Sequence, residues 1–521
     1  MMEIPLLDNF YKNQILAELL LKDSKLKDFH NGLSIDHIDI DFIKKRDLDE
    51  SQRSVLFNVL SDQYLKTGLE LPSELKLIKN KGTFTITTGH QLCVFGGPQY
   101  FIHKIITILK LAELLKKKFK DFNFIPVFWM ASEDHDFEEI SQINIFNNKI
   151  SIAQQDGVGV GKIKPELFNP ILNQLKEIFK NDSRFKFLET IFTESLLKNT
   201  WSEATRYWIH KFFEKENLVV LDADDKRLKK IFQPIIKKEL EEQFIYSTVK
   251  HTNKLIGELG FNAKIKPREL NLFYLTDEKR IRIVFENNQF KIGDSSFKLD
   301  ELLKDLNDFP EKFSPNVLMR PLYQENILPN LVYVGGPSEI TYWSQLKESF
   351  NYSALNYPVL LLRDHFLWMD LKNIKNWEDL GFSIVDLSKN TDNLVNSYFL
   401  RSENINLDFT NENDIINKLS NLLKEKASSL DVSLIPSVEA SIKAINSNTD
   451  KIKQKLIQSL KRNEDQKVRQ INKLSSLVHE NGKLKERSES FIPSFIKSPI
   501  DYIDKLKKAS NPESPNLKII S

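Results

Sequence analysis

Short runs of apolar residues punctuate the chain, each bounded by turn residues or charges. Five of these runs predict buried strands, at residues 83–88, 124–130, 218–221, 331–334 and 359–362. Hydrophobicity within each run is continuous rather than alternating, which is typical of strands that are covered on both faces. We therefore predict an α/β fold with a parallel sheet whose strands are connected by helices.

The segment after Gly96 and Gly97 has the pattern of a helix that connects two of these strands. Pro98 occupies a natural first helical position, and an apolar stripe follows at helical spacing. Three lysines, at 116–118, stand in the expected last turn, where positive charge stabilises the helix dipole. A second helix is predicted at residues 337–346, again directly after a strand.

Two segments interrupt the alternation of strands and helices, at about 150–200 and 250–310. The first is mostly helical and polar, and the second contains a hairpin predicted to turn at Asn287 and Asn288. From about residue 411, apolar positions recur at three- and four-residue steps, with a break near 434–436, which is typical of a coiled coil. We therefore divide the chain into a core at 1–390 with two insertions, a helical arm at 391–490, and a segment at 491–521 that returns to the core.

The composition narrows the class of protein and its location. With 74 Lys and Arg against 72 Asp and Glu, the charges balance and are interspersed, which does not favour a nucleic-acid partner. The chain has no signal-peptide pattern and no apolar run long enough to span a membrane, so a cytoplasmic location is expected. Cys93 is the only cysteine and is expected to pack as a small hydrophobe. The apolar stripe of the arm must be covered by itself, by the core or by a second copy of the chain.

Polar residues follow the strands at the edge where parallel sheets bind ligands. After the first strand come Gly89, His90 and Gln91, and then Gly96 and Gly97 precede the helix. Glycine lets backbone N–H groups approach an anion, and the helix N-terminus adds partial positive charge, so a phosphate fits here. A tight turn that needs glycine for its geometry alone is an equal alternative.

The second strand ends in an acidic segment that contains Glu133, Asp134, His135 and Asp136. Capping a helix needs one acid rather than three, so a functional role is favoured over a structural one. Three functions remain open: recognition of an ammonium group, acid–base catalysis by His135, or binding of a divalent metal. The chain has few histidines and one cysteine to complete a zinc site, so no protein metal site is predicted. Magnesium held mainly by a nucleotide would need only one or two of these carboxylates.

Further candidates lie next to the remaining strands, and each has a purely structural alternative. The candidates for substrate binding are Asp222, Asp224, Glu339, Tyr342, Trp343 and Arg363. The candidates for binding a phosphate are Lys104 and the glycine pair Gly335 and Gly336. Arg320 stands in an apolar stretch and needs a carboxylate or phosphate partner, which an internal ion pair could also supply.

Five segments in fixed order resemble the bacillithiol-biosynthesis cysteine-adding enzymes, and they span the chain from the first strand to the end of the arm. The segments are TTGHQLCVFGGPQYFIHKIITILKLA, PVFWMASEDHDFEEI, LVVLDADD, FSPNVLMRPLYQENILPNLVYVGGPSEITYWSQLK and KLKERSESFIPSFI. The resemblance implies a Rossmann-like core related to class I aminoacyl-tRNA synthetases, with insertions and a C-terminal coiled coil that forms a homodimer. It also implies the last step of bacillithiol synthesis, in which cysteine is joined to glucosaminyl-malate.

A mechanism in keeping with this resemblance activates the carboxylate of cysteine with ATP and Mg²⁺, as an adenylate or an acyl phosphate. In this hypothesis Lys104 and Arg320 stabilise phosphate charge, and a residue of the segment 133–136 holds or deprotonates the amine. Substrate carboxylates would bind near Gly335 and Gly336 or at Arg363. Two other functions remain open: a metal-dependent hydrolase that uses the acidic segment, and a nucleotide-binding coiled-coil scaffold without catalysis.

Overall fold

The computed structural model describes residues 2–11, 13–21, 23–153, 157, 159–401, 409–480 and 483–521. The chain divides into two compact units, one formed by residues 1–368 with 486–520 and the other by residues 369–485. The sequence predicted boundaries at 390 and 490, and the structure places the corresponding boundaries earlier, after residues 368 and 485. Parts of the predicted insertion and arm lie outside the described residues, namely 154–156, 158, 402–408 and 481–482.

The first unit is built around a five-stranded parallel sheet. Its core strands, first to fifth in chain order, are Thr83–His90, Asn123–Met130, Val219–Asp222, Asn330–Gly335 and Val359–Leu362. Their spatial order is fifth, fourth, first, second, third, and every neighbouring pair is parallel. Almost all residues of these strands are buried, which explains why the apolar runs do not alternate. The predicted α/β class and its parallel sheet are confirmed.

The first core strand lies between the second and the fourth, so the chain connections change direction at this strand. Helix Tyr100–Lys118 connects the first strand to the second and buries Phe101 and Ile105 in the core. Helix Pro337–Trp343 follows the fourth strand. A change of direction in a parallel sheet opens a crevice at the carboxyl ends of the strands, where ligands bind.

The two insertions carry their own secondary structure. Near the first are the hairpin Gln142–Ile145 and Asn148–Ser151 and the helices Asn169–Ile178 and Lys186–Ser195. The second contributes to an antiparallel five-stranded sheet formed by Leu272–Leu275, Arg280–Glu286, Gln289–Ile292, Ser295–Phe297 and Phe313–Pro315. The hairpin turns at Asn287 and Asn288 as predicted, and their φ values of 53° and 63° suit a tight turn.

The C-terminal segment returns to the first unit and adds a strand to a small sheet. Asn516–Ile520 pairs with Met2–Pro5 on one side and with His365–Trp368 on the other. Buried polar contacts hold this return in place: Lys518 Nζ donates to Asp364 Oδ1 at 2.6 Å, and Arg363 Nη2 donates to Glu486 Oε1 at 2.7 Å. Arg363, which follows the fifth core strand, is therefore positioned by a residue that is distant in sequence.

Other helices cover the core of the first unit. They are Leu6–Asn9, Gln14–Leu19, Ile40–Lys44, Glu50–Thr67, Phe137–Ile140, Trp201–Phe212, Lys226–Glu242, Phe244–Glu258, Leu299–Asp308, Arg320–Ile327, Lys347–Tyr352, Ile492–Lys497 and Tyr502–Ala509. Among the helices that the structure describes, none has both the length and the apolar character needed to cross a membrane.

The second unit is mainly helical. Its helices are Leu371–Glu378, Thr391–Arg401, Thr410–Leu430, Ile435–Asn463 and Asp465–Ser475, followed by the short strands His479–Glu480 and Lys483–Leu484. The third and fourth helices pack together, and Lys424 Nζ lies 2.6 Å from Glu439 Oε1 between them. The arm thus pairs with itself within one chain. This pairing is incomplete, because Ile415, Leu422 and Ile452 remain at least half exposed.

Candidate active site

A cavity of about 700 Å³ opens at the carboxyl ends of the core strands. Twelve of the residues predicted from the sequence line it: Gly89, His90, Gln91, Lys104, Glu133, Asp134, His135, Arg320, Gly336, Glu339, Tyr342 and Arg363. Seven do not line it: Gly96, Gly97, Asp136, Asp222, Asp224, Gly335 and Trp343. The cavity stands where the direction of the sheet connections changes, as ligand sites in this fold class do.

A buried ion pair between Lys104 and Glu339 forms the floor of the cavity. Lys104 Nζ lies 2.5 Å from Glu339 Oε2 and donates to the carbonyl oxygen of Gly89 at 2.8 Å. Glu339 also accepts from the Tyr333 hydroxyl and from the backbone N–H of Gly336. Burial alone would raise the pKa of Glu339, but Lys104 and these donors lower it to about 2. Lys104 was expected to contact phosphate directly; instead its ammonium group is committed to Glu339 and Gly89.

Two arginines, Arg320 and Arg363, line the cavity. Arg320 Nη1 donates to Gln324 Oε1 at 2.9 Å, and its guanidinium lies 5.3 Å from the ring centre of Tyr333. Arg363 gives both terminal nitrogens to Glu486. Among the described residues, Arg320 Nη2 and Arg363 Nε have no hydrogen-bond partner although both are buried. Unsatisfied buried guanidinium groups are costly, and an anion such as a carboxylate or phosphate would satisfy them.

The acidic segment after the second strand divides into structural and accessible groups. Glu133 forms an ion pair with the buried Lys229, so its charge is already compensated. Asp136 caps the helix Phe137–Ile140 by accepting from the N–H of Glu139, which is the structural role that the sequence left open. These two carboxylates are therefore occupied by contacts within the fold.

Asp134 and His135 are the members of this segment that the cavity brings together. Asp134 accepts from Gln91 Nε2 at 2.5 Å and from Arg280 Nη1 at 3.1 Å. His135 Nδ1 lies 3.4 Å from Asp134 Oδ1, and the side chain of His135 is 47% exposed. Its Nδ1 also accepts from Arg280 Nη1 at 3.3 Å, so the imidazole lies between Asp134 and Arg280 and remains open to a substrate.

His90 lines the cavity as a neutral imidazole. Burial, assisted by the charge of Lys104, lowers the pKa of His90 to about 3. Its Nε2 lies 3.0 Å from the Tyr100 hydroxyl, and its Nδ1 lies 3.0 Å from the carbonyl oxygen of Gln91. His90 is therefore held as a neutral donor and acceptor rather than as a cation.

The predicted residues that lie away from the cavity have packing roles. Gly96 and Gly97 were expected to present N–H groups to an anion, but these groups donate to the carbonyl oxygens of Cys93 and Val94. A Cβ on Gly96 would lie 2.8 Å from Phe491, so glycine is needed there for close packing. The first glycine pair is thus a tight turn rather than an anion cradle.

Trp343 and Gly335 also have structural contacts. Trp343 is fully buried and stacks on Tyr333 with ring centres 4.3 Å apart, so it supports the wall and does not reach a substrate. A Cβ on Gly335 would lie 3.0 Å from that of Glu339, which shows how closely the strand and the helix approach.

Asp222 and Asp224 form a polar cluster beside the cavity. Asp222 accepts from the Ser132 hydroxyl and from the N–H of Asp224. Burial, assisted by the charge of Glu133, raises the pKa of Asp224 to about 7. The sequence predicted that both carboxylates contact a substrate, but neither of them lines the cavity.

Several cationic residues that line the cavity were not predicted from the sequence. Arg280 is 7% exposed, donates to Asp134 and carries its guanidinium 4.0 Å from the ring centre of Phe273. Arg282 lines the cavity as well, as do Lys266 and Arg268 from the preceding segment. Residues two apart in a strand share a face, so the pattern Arg-Ile-Arg in the predicted hairpin was a signal that could have been used.

Glu139, in the helix Phe137–Ile140, was not among the residues predicted for the site. It lines the cavity, and burial together with the charges of Asp136 and Asp134 raises its pKa to about 7. A carboxylate in such surroundings is stabilised by a cation.

Comparisons with known proteins agree with this architecture along the whole chain. The family model described as "Bacillithiol biosynthesis BshC, N-terminal Rossmann-like domain" matches residues 2–364, and that described as "Bacillithiol biosynthesis BshC, C-terminal coiled-coil domain" matches residues 366–521. A protein of Flavobacterium johnsoniae is 33% identical over 518 residues, which covers 98% of both chains. A protein of Christiangramia forsetii is 34% identical over 523 residues, covering 98% of this chain and 97% of the relative. Both relatives bear the name "Putative cysteine ligase BshC".

The packing role of Gly96 can be tested by comparing two alanine variants. Gly96 and Gly260 both have positive φ, at 84° and 87°, but only the Cβ of Gly96→Ala would meet a neighbouring side chain. Both variants carry the same backbone strain, and overpacking should make Gly96→Ala less stable than Gly260→Ala by about 1–3 kcal/mol. Urea unfolding of the two variants measures this difference, and equal losses of stability would contradict the packing role.

Proposed function

Because this chain belongs to the bacillithiol-biosynthesis BshC family, we propose that it joins L-cysteine to glucosaminyl-malate through an amide bond. The observation that carries this proposal is that one cavity is lined both by Arg320 and Arg363, each with a buried N–H group that has no partner among the described residues, and by the Asp134–His135 pair. The arginines suit the negative charge of carboxylates and phosphates, and the Asp134–His135 pair suits an amine.

The reaction needs activation of the cysteine carboxylate, because a free carboxylate is a poor electrophile. We propose that ATP supplies this activation, and that Arg320 Nη2 and Arg363 Nε stabilise the charge that develops on the phosphates. The fit rests on these two buried N–H groups, which lack partners among the described residues. The adenylate and the acyl phosphate are both compatible with this arrangement.

Magnesium would enter with the nucleotide rather than occupy a protein cage. In the part of the chain that the structure describes, the only group of three potential ligands within reach of one ion is His90, Cys93 and Glu139. Its thiol is a poor ligand for magnesium, which prefers oxygen. Asp134, which lines the cavity, could supply a carboxylate to a nucleotide-bound ion.

His135 would take the proton from the amine of glucosaminyl-malate as this amine attacks the activated carboxyl. Asp134 and Arg280 both contact the imidazole, and Asp134 is itself fixed by Gln91 and Arg280. Glu133 and Asp136 are less suited to this step, because their carboxylates are held by Lys229 and by the helix N-terminus.

We also propose that the arm pairs with a second copy of the chain. The two long arm helices cover only part of each other's apolar surface, and Ile452 remains 56% exposed. An apolar stripe on a long charged helix is stabilised when a second helix covers it.

The ligase proposal is tested by incubating the purified protein with glucosaminyl-malate, cysteine, ATP and magnesium. Mass spectrometry should detect bacillithiol together with either AMP, which marks an adenylate, or ADP, which marks an acyl phosphate. A reaction without ATP is the control. Absence of bacillithiol from a folded protein that binds ATP would contradict the proposal.

Removal of the proposed base should slow catalysis without unfolding the protein. His135→Ala should lower kcat by about 10²–10⁴-fold, the usual contribution of general base catalysis. His251→Ala is the matched control, since His251 is a half-exposed histidine that also pairs with a carboxylate, Glu348, but does not line the cavity. An unchanged kcat for His135→Ala would remove this residue from the mechanism.

Pairing through the arm predicts a dimer by sedimentation velocity. Ile452→Asp should shift the protein toward monomer, because a charge would enter the apolar contact. Ser447→Asp adds the same charge at an exposed polar position of the same helix and should leave the dimer intact. A monomeric native protein would contradict the proposal.

A further inference from the structure

Three side chains with metal-binding atoms converge at the cavity wall, apart from the residues used above for phosphate and amine. His90 ends the first core strand, Cys93 follows in the loop, and Glu139 lies in the helix Phe137–Ile140. One ligand atom from each residue lies within 4.8 Å of the other two. His90 and Glu139 line the cavity, whereas Cys93 is buried behind them.

The separation of one pair of these atoms matches a tetrahedral site. Cys93 Sγ lies 3.6 Å from His90 Nδ1. With a zinc–sulfur distance of about 2.3 Å and a zinc–nitrogen distance of about 2.0–2.1 Å, tetrahedral angles place the two ligand atoms about 3.6 Å apart. The backbone already holds this pair at the required separation.

The chemical type of the three ligands determines which metal ion the site favours. A thiolate is a soft ligand that favours zinc over magnesium or calcium, and imidazole and carboxylate complete common zinc sites. A thiolate and a carboxylate together cancel the charge of a divalent ion, so the occupied site would be neutral and suited to a buried wall. Three protein ligands leave a fourth position, as in zinc sites that bind a substrate.

We propose that His90, Cys93 and Glu139 bind a zinc ion whose fourth position faces the cavity and accepts the thiolate of cysteine. The zinc site stands on the geometry alone, whereas the thiolate occupant rests on the proposed ligase function. Such a site would select cysteine over serine, because zinc binds a thiolate more strongly than a hydroxyl group.

Tyr100 supports His90 as a ligand. Its hydroxyl lies 3.0 Å from His90 Nε2 and can accept a hydrogen bond from Nε2–H, which leaves the lone pair of Nδ1 free to face Cys93. Without metal, Nδ1 donates to the carbonyl oxygen of Gln91, so zinc binding moves the ring proton from Nδ1 to Nε2. A hydrogen-bonded partner on the second nitrogen is the usual support of a metal-binding histidine.

Binding of zinc and of the substrate thiolate also releases protons. The Cys93 thiol and the substrate thiol each lose a proton to solvent as their sulfur atoms bind the ion. No bond other than these coordination bonds forms, and neither the metal nor the sulfur changes oxidation state.

Cobalt substitution tests the protein ligands directly. Cys93 is the only cysteine in the chain, so in the absence of added thiol a thiolate-to-cobalt charge-transfer absorption can come only from Cys93. The full-length protein, without a purification tag, should show this absorption on titration with Co²⁺, and zinc should displace the cobalt. Cys93→Ser should abolish the absorption, Glu139→Gln should weaken cobalt binding, and the surface control His251→Gln should change neither.

The substrate position is tested by adding cysteine or serine to the cobalt protein. Cysteine should increase the charge-transfer absorption as a second thiolate binds, and serine should not. Circular dichroism must show that Cys93→Ser is folded before its loss of absorption is interpreted. Glu139→Gln provides a second check, because it keeps the thiol and alters an accessible carboxylate.

The outcomes separate this inference from the proposed function. Absence of any Cys93-dependent absorption, together with no zinc retained after dialysis, would overturn the metal site even if the protein forms bacillithiol. An absorption that does not respond to cysteine would overturn the thiolate occupant alone. A cobalt site that responds to cysteine in a protein that forms no bacillithiol would leave the metal site standing and contradict the ligase proposal.

Discussion

The Lys104–Glu339 ion pair is the interaction on which the cavity depends. Lys104 belongs to the helix after the first core strand, and Glu339 belongs to the helix after the fourth, which is its neighbour in the sheet. Through Gly89 and Gly336 the same two side chains also hold both strand-end loops. Breaking a buried pair of this kind costs about 3–5 kcal/mol, because one charge is left uncompensated. The pair therefore ties the two strand-end loops to each other.

Because Lys104 pairs with Glu339, its charge is not available to a substrate. By contrast, Arg320 and Arg363 each keep a buried N–H group that has no partner in the described part of the chain. Arg363 keeps its orientation through Glu486, which belongs to the C-terminal return. The first unit thus needs the end of the chain to complete its site, and the sheet formed with Asn516–Ile520 holds that end in place.

The charges of the acidic segment at 133–136 are also compensated by contacts within the fold. Lys229 neutralises Glu133, the helix N-terminus uses Asp136, and Arg280 from the inserted sheet orients Asp134. The side chain of His135 is 47% exposed at the cavity. The three carboxylates of this segment thus each have a partner within the fold, and the imidazole is the side chain of the segment that is most open to a ligand.

The sequence by itself determined the elements of this protein and the edge at which its site forms. Continuous apolar runs identified the strands, Asn287 and Asn288 identified the hairpin turn, and helical spacing identified the arm, because each signal is local and repeats along a few residues. Only the tertiary structure decided which polar side chains share the cavity. In the sequence Lys104 and Glu339 are separate candidates, for phosphate and for substrate, and only the structure pairs their charges. Gly96 and Gly336 belong to similar glycine pairs, but Phe491 packs against Gly96 whereas Gly336 lines the cavity. The physical reason is that charge compensation and burial are set by neighbours in space, which the local pattern of the chain does not contain.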